Sequence, residues 1–102
     1  MEPAIDLSHL EAATFGDRAL QREVLGLFEA QAEKLMHTIR AGDGKARAEA
    51  AHALKGAARG VGAFAVADEA EKVEQGDSGA IGRLALRLAE ACRAAAALSA
   101  KV

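Results

Sequence analysis

Residues 51–63 read Ala51-His52-Ala53-Leu54-Lys55-Gly56-Ala57-Ala58-Arg59-Gly60-Val61-Gly62-Ala63, and this stretch decides the fold. Alanine, the strongest helix former, fills much of it. On a wheel of about 100° per residue, with His52 as the zero direction, Ala50, Leu54, Ala57 and Val61 point roughly opposite. They make a core stripe. Lys45, Glu49, Lys55, Gly56 and Arg59 share the side of His52. The pattern predicts a helix from Asp43 or Gly44 to about Gly60, closed by Gly60 and Gly62. His52 turns away from its core and stays reachable.

Working outward, glycine clusters divide the rest: Gly16-Asp17, Gly42-Asp43-Gly44 and Gly76-Asp77-Ser78-Gly79. These are turn and cap chemistries. A short first helix is expected from about Ser8 to Phe15, capped by Ser8 or Asp6. A long second helix starts near Asp17, with Leu20, Val24, Leu27, Phe28, Gln31, Leu35 and Ile39 on one stripe. Leu25, Ala32 and Met36 widen that stripe on one side. A fourth helix spans roughly Ala63 to Gln75, with Val66, Ala70 and Val73 inward. A fifth begins at Ser78 and turns Ile81, Leu84, Ala85, Leu88, Ala91, Cys92, Ala95 and Leu98 to one face. No stretch alternates with period two, so no strand is expected. The fold class is all-α: an antiparallel up-down four-helix bundle with a short extra N-terminal helix. Residues 1–102 form one domain.

Composition narrows the function. Three Phe with no Tyr or Trp supply few stacking platforms for single-stranded nucleic acid. A net charge of −2 gives no general pull toward nucleic acid or acidic membranes. Yet Arg40, Lys45, Arg47, Lys55 and Arg59 outnumber Asp43 and Glu49 between residues 40 and 62, so His52 sits in a locally basic stretch. One cysteine, Cys92, permits no internal disulfide and reads as a small buried hydrophobe. Nothing resembles a signal peptide or a bilayer span, which favours a cytoplasmic location. The three histidines lack metal-ligand spacing. His9 and His37 read as solvated.

The surroundings of His52 suit phosphoryl chemistry. Gly56 lies one turn further on the same face. Glycine costs about 1 kcal/mol in a helix interior relative to alanine, and in return leaves room for a large partner. Lys55 and Arg59 can neutralise a phosphoryl group, which brings a charge of roughly −2. A neutral imidazole nitrogen can attack phosphorus and pass the group on. Phe64, together with Leu25, Ala32 and Met36, could form an apolar docking patch or simply flank the core.

The quoted stretch resembles the core motif of histidine-containing phosphotransfer (HPt) domains. That pattern has a histidine, lysine-glycine at the third and fourth places after it, and glycine at the tenth; here these are His52, Lys55, Gly56 and Gly62. The flanks are similar too: a long helix with the pair Leu27-Phe28 before, and a helix ending in Val73-Glu74 and then a long C-terminal helix after. The resemblance implies the four-helix bundle and a relay role. It makes His52 the phosphoacceptor and Lys55 the charge partner, with Gly56 giving clearance and Gly62 shaping the turn. Glu74 stands where the family often has a polar residue, and would orient the imidazole. The implied partners are response-regulator receiver domains and a hybrid sensor histidine kinase. The receiver supplies the catalytic aspartate and Mg²⁺, so the chain itself is a phosphocarrier with no cofactor, expected as a monomer.

Other readings differ in named residues. A histidine-kinase dimerisation pair usually has an acid just after the histidine and a proline soon after; here Ala53 follows, and Pro3 is the only proline. No glycine-rich nucleotide loop is present, which argues against autophosphorylation from ATP. The chain could be the phosphoacceptor domain excised from a larger chemotaxis-type kinase. A non-catalytic helical adaptor would retain partner function in His52→Ala. Lys55, read as exposed, is expected to slow transfer when changed to alanine, with little loss of stability.

Overall fold

A computed structural model describes residues 3–100. Those residues form five helices and no strand: α1 (Leu7–Ala13), α2 (Arg18–Ala41), α3 (Gly44–Val61), α4 (Phe64–Glu74) and α5 (Ala80–Ala100). Local chemistry sets most boundaries. Asp6 Oδ1 accepts from the His9 backbone N–H at 3.1 Å and caps α1. Asp17 Oδ1 does the same for α2 through Leu20 at 3.1 Å. Asp43 precedes α3 without a side-chain cap bond. Arg47 Nε instead reaches back to the Ile39 carbonyl at 2.8 Å and satisfies one of the free acceptors at the end of α2. α1 stops before the expected Phe15. The buried Thr14 hydroxyl donates to the Leu10 carbonyl at 2.7 Å, and Phe15 takes a left-handed φ of 54°.

α2 packs on α3, α3 on α4, α4 on α5, and α5 returns to α2, so the four long helices close a ring around one core. Short connections between successive members suit an up-down order. α1 lies against α3. Alanines 32, 51, 58, 70, 91 and 95 are fully buried in the core. Small side chains let helices approach closely, while Leu25, Leu54, Leu84 and Ile39 fill the remaining volume.

The core line on α2 differs from the expected stripe. Leu25, Phe28, Ala32, Met36 and Ile39 are buried, Leu20, Val24 and Leu35 half-buried, Gln31 exposed, and Leu27 64% exposed. α2 is gripped by both α3 and α5, so its buried centre falls on the side first read as a shoulder. Leu25, Ala32 and Met36 are therefore core residues. Buried side chains of this kind hold the bundle together and cannot present a docking patch.

The α3–α4 connection places the site. Gly62 adopts φ 83°, ending α3 in the left-handed conformation typical of a glycine cap. A Cβ there would stand 2.9 Å from the Asp6 carbonyl oxygen. The Asp6 N–H donates to the Gly62 carbonyl at 2.9 Å, which stitches the N-terminal segment to the turn. The glycine is thus needed both for its backbone conformation and for close approach.

Candidate functional site

His52 lies midway along α3, and its side chain is 67% exposed. Ala50, Leu54 and Val61 are buried, as the wheel expects; Ala57 is only half-buried, and Ala51 and Ala58, outside the expected stripe, join the core instead. Because Ala51, Leu54 and Ala58 lock the helix rotation, the imidazole is held outward by the core rather than by its own contacts.

α4 brings two acids alongside. His52 Nδ1 is 2.7 Å from Glu74 Oε2, and Lys55 Nζ is 2.7 Å from Glu74 Oε1. Further along, Glu71 Oε1 is 3.9 Å from both Lys55 Nζ and Arg59 Nη2. Partners on α4 fall in number as those on α3 rise, so these two helices run antiparallel at the site. The local positive charge of α3 is therefore faced by carboxylates from the next helix in the chain.

This arrangement alters the reading of Lys55. Its side chain is only 14% exposed, and its ammonium is bound to Glu74. The expectation of an exposed lysine fails because α4 folds over it. The Lys55 hydrogen bond is the main influence holding the Glu74 carboxyl below the usual range; partial burial opposes it, and His52 adds to the lowering. Glu74 is therefore a carboxylate, and a carboxylate only accepts. The proton of a neutral His52 then sits on Nδ1. Nε2 then keeps a lone pair, on a side chain that is mostly exposed.

Gly56 is exposed, and a Cβ placed on it would meet no atom within 4 Å beyond its own helix backbone and chain neighbours. The bundle's own packing does not require glycine there. The open space lies on the His52 face, one turn along. Phe64 is half-buried at the start of α4 and meets the His9 ring edge-on at 5.1 Å between centroids. It anchors α1 at the end of the bundle where α3 gives way to α4. His9 is thus half-buried rather than solvated, whereas His37 is exposed. Cys92 is half-buried, and burial, followed by the nearby Glu29, pushes its thiol up.

Two features escaped the sequence reading. Glu71 joins the site, and its signal was the spacing of residues 71 and 74 against 52, 55 and 59 on antiparallel helices. Glu69 is buried on α4 and binds Arg83 at 3.0 Å and Lys72 at 3.1 Å. Burial would raise its carboxyl, but the hydrogen bonds from Lys72 and Arg83 lower it overall. This cluster ties α4 to α5 and so fixes the helix that carries Glu74.

His52 is thus an outward imidazole on a helical bundle, held at Nδ1 by Glu74. The family model of the Hpt domain matches residues 23–98. The chain belongs to the Hpt-domain family, whose members are phosphocarriers that work with response-regulator receiver domains. No curated protein and no solved structure matches it.

Proposed function

We propose that His52 accepts a phosphoryl group from the aspartyl phosphate of one receiver domain and passes it to the aspartate of another. The observation that carries this reading is the 2.7 Å contact between His52 Nδ1 and Glu74, which leaves Nε2 free on the exposed side.

In the forward step the Nε2 lone pair forms a bond to phosphorus while the bond from phosphorus to the aspartyl oxygen breaks. The aspartate leaves as a carboxylate. The Nδ1 proton remains in place, so positive charge grows on the ring, and Glu74 lies beside it. In the reverse step the protonated ring is a good leaving group, and phosphorus returns to an aspartyl oxygen. Mg²⁺ on the receiver neutralises charge on the transferring phosphoryl oxygens. The chain contributes the nucleophile, its orientation and the clearance at Gly56.

Lys55 acts chiefly by holding Glu74 ionised and in place. Arg59, half-exposed, is the cation better able to meet phosphoryl oxygens. A hybrid sensor histidine kinase upstream and a separate response regulator downstream fit this two-way exchange. Among the described residues no helix is long and apolar enough to cross a membrane. We place the domain, acting as a monomer over residues 1–102, in the cytoplasm with its receivers.

The test mixes the chain with phosphorylated receiver domains and Mg²⁺, with His52→Ala as control. Transfer to the parent and none to the variant is expected. Equal labelling of both would overturn the assignment, and no labelling of a folded parent by any receiver would favour the adaptor reading.

A further inference from the structure

The polar side chains of α3 and α4 form a run from His52 through Glu74, Lys55 and Glu71 to Arg59. Glu71 has no part in the chemistry above. One of its oxygens lies 3.9 Å from each of two cations. Both distances exceed a hydrogen bond, so Glu71 attracts both and holds neither closely. Lys55 is mostly buried and committed to Glu74 at 2.7 Å. Arg59 is half-exposed and faces Glu71 alone among the described carboxylates within ion-pair distance. Arg59 is the cation that can move.

It also has somewhere to go. Arg59 stands seven residues beyond His52, about 10 Å along the helix axis. Side chains on a helix lean toward its N-terminus, which here is toward His52. Between them on that side stand Lys55, whose ammonium is drawn aside to Glu74, and Gly56, where a Cβ would meet nothing within 4 Å beyond its own helix backbone and chain neighbours. The lane is open. A guanidinium carries a planar fork of donors suited to phosphoryl oxygens.

We propose that Glu71 is a positioning residue that holds Arg59 in reserve and competes for it with the phosphoryl group on His52. This rests on the function proposed above. In the resting chain Arg59 pairs loosely with Glu71. When His52 carries a phosphoryl dianion, the guanidinium exchanges one anion for the other, with no covalent bond made or broken. Glu71 thereby weakens the hold of the bundle on the phosphoryl group and favours passing it on over storing it.

The experiment measures the equilibrium ratio of phosphorylated chain to phosphorylated receiver, with Mg²⁺ present, for the parent, Glu71→Gln, Arg59→Gln and the double variant. At low protein concentration this ratio does not depend on docking strength. Glu71→Gln is expected to raise it by about two- to fivefold, the scale of an exposed ion pair. The rise shrinks at high salt. Arg59→Gln lowers the ratio, and in that background Glu71→Gln changes it little. A purely structural Glu71 would shift thermal melting and leave the ratio alone, which would overturn the proposal. An equal rise with and without Arg59 would overturn it too. A parent that takes no label at all sinks the phosphotransfer reading first, and is thereby told apart from either failure.

Discussion

His52 Nδ1 and Glu74 Oε2 are 2.7 Å apart, and the second oxygen of the same carboxylate is 2.7 Å from Lys55 Nζ. One carboxylate therefore connects a mostly buried cation to an exposed imidazole. It sets the tautomer and orientation of the ring through Nδ1 alone.

Replacing Glu74 should therefore slow transfer without abolishing it. Glu74→Ala removes both the orienting bond and the charge, and should cost about tenfold in transfer rate, the lower end for a charge-assisted bond. Glu74→Gln can still accept from Nδ1 and should lose less. Nitrogen-15 NMR of the imidazole should show the Nδ1–H tautomer of the parent giving way to a mixture in the alanine variant. An unchanged tautomer with unchanged rates would remove Glu74 from the site.

Gly56→Ala should separate stability from function. Beyond its own helix backbone and chain neighbours, the added methyl meets no atom within 4 Å. Helix propensity then stabilises the fold by about 1 kcal/mol. The same methyl stands one turn from His52, on the side where the proposed transfer brings a receiver, so transfer should slow. A variant that is more stable and equally fast would show that the clearance has no use.

Acid should weaken the bundle through its paired carboxylates. Glu69 is lowered because the hydrogen bonds from Lys72 and Arg83 outweigh its burial, and Glu74 is lowered chiefly by Lys55. A carboxyl lowered in the fold stabilises it above the unfolded value of about 4.3, and that contribution is lost as pH falls through the native value. Denaturation at pH 7 and at pH 3 should show Glu69→Gln losing less stability on acidification than the parent. At pH 7 the variant should be weaker by about 1 kcal/mol, because Arg83 and Lys72 can turn to water. Identical pH dependence would mean that Glu69 does not link acid to unfolding.

These outcomes divide along what was legible in the sequence. The start at Asp17 and the stop at Gly62 depend on neighbours three or four residues away, so they could be read directly, and the same chemistry narrows the first cap to Ser8 or Asp6, of which Asp6 caps the helix. The outward direction of His52 followed from periodicity within one helix. The core side of α2 did not, because Leu25 and Leu27 are equally apolar and only the placement of α3 and α5 chooses between them. Lys55 looked free because its acids come from α4, across a turn whose geometry sets the register. The stitch between Asp6 and Gly62 is likewise tertiary.

Gly62→Ala tests that stitch. The left-handed φ of 83° and a Cβ 2.9 Å from the Asp6 oxygen should together cost about 1–3 kcal/mol. Chemical denaturation reads the loss directly. On α2, Leu25→Ala should cost about 2–5 kcal/mol as a core truncation, whereas Leu27→Ala should change little. The reverse order on α2 would restore the stripe first read from the sequence.

The central claim is that Nε2 of His52 is the nucleophile. Phosphorus–proton correlation NMR of the chain labelled by a phosphorylated receiver, at neutral or higher pH where phosphohistidine survives, locates the group on the ring. The account predicts phosphorus bonded to Nε2 of His52. Phosphorus on Nδ1, or on His9 or His37, would contradict it.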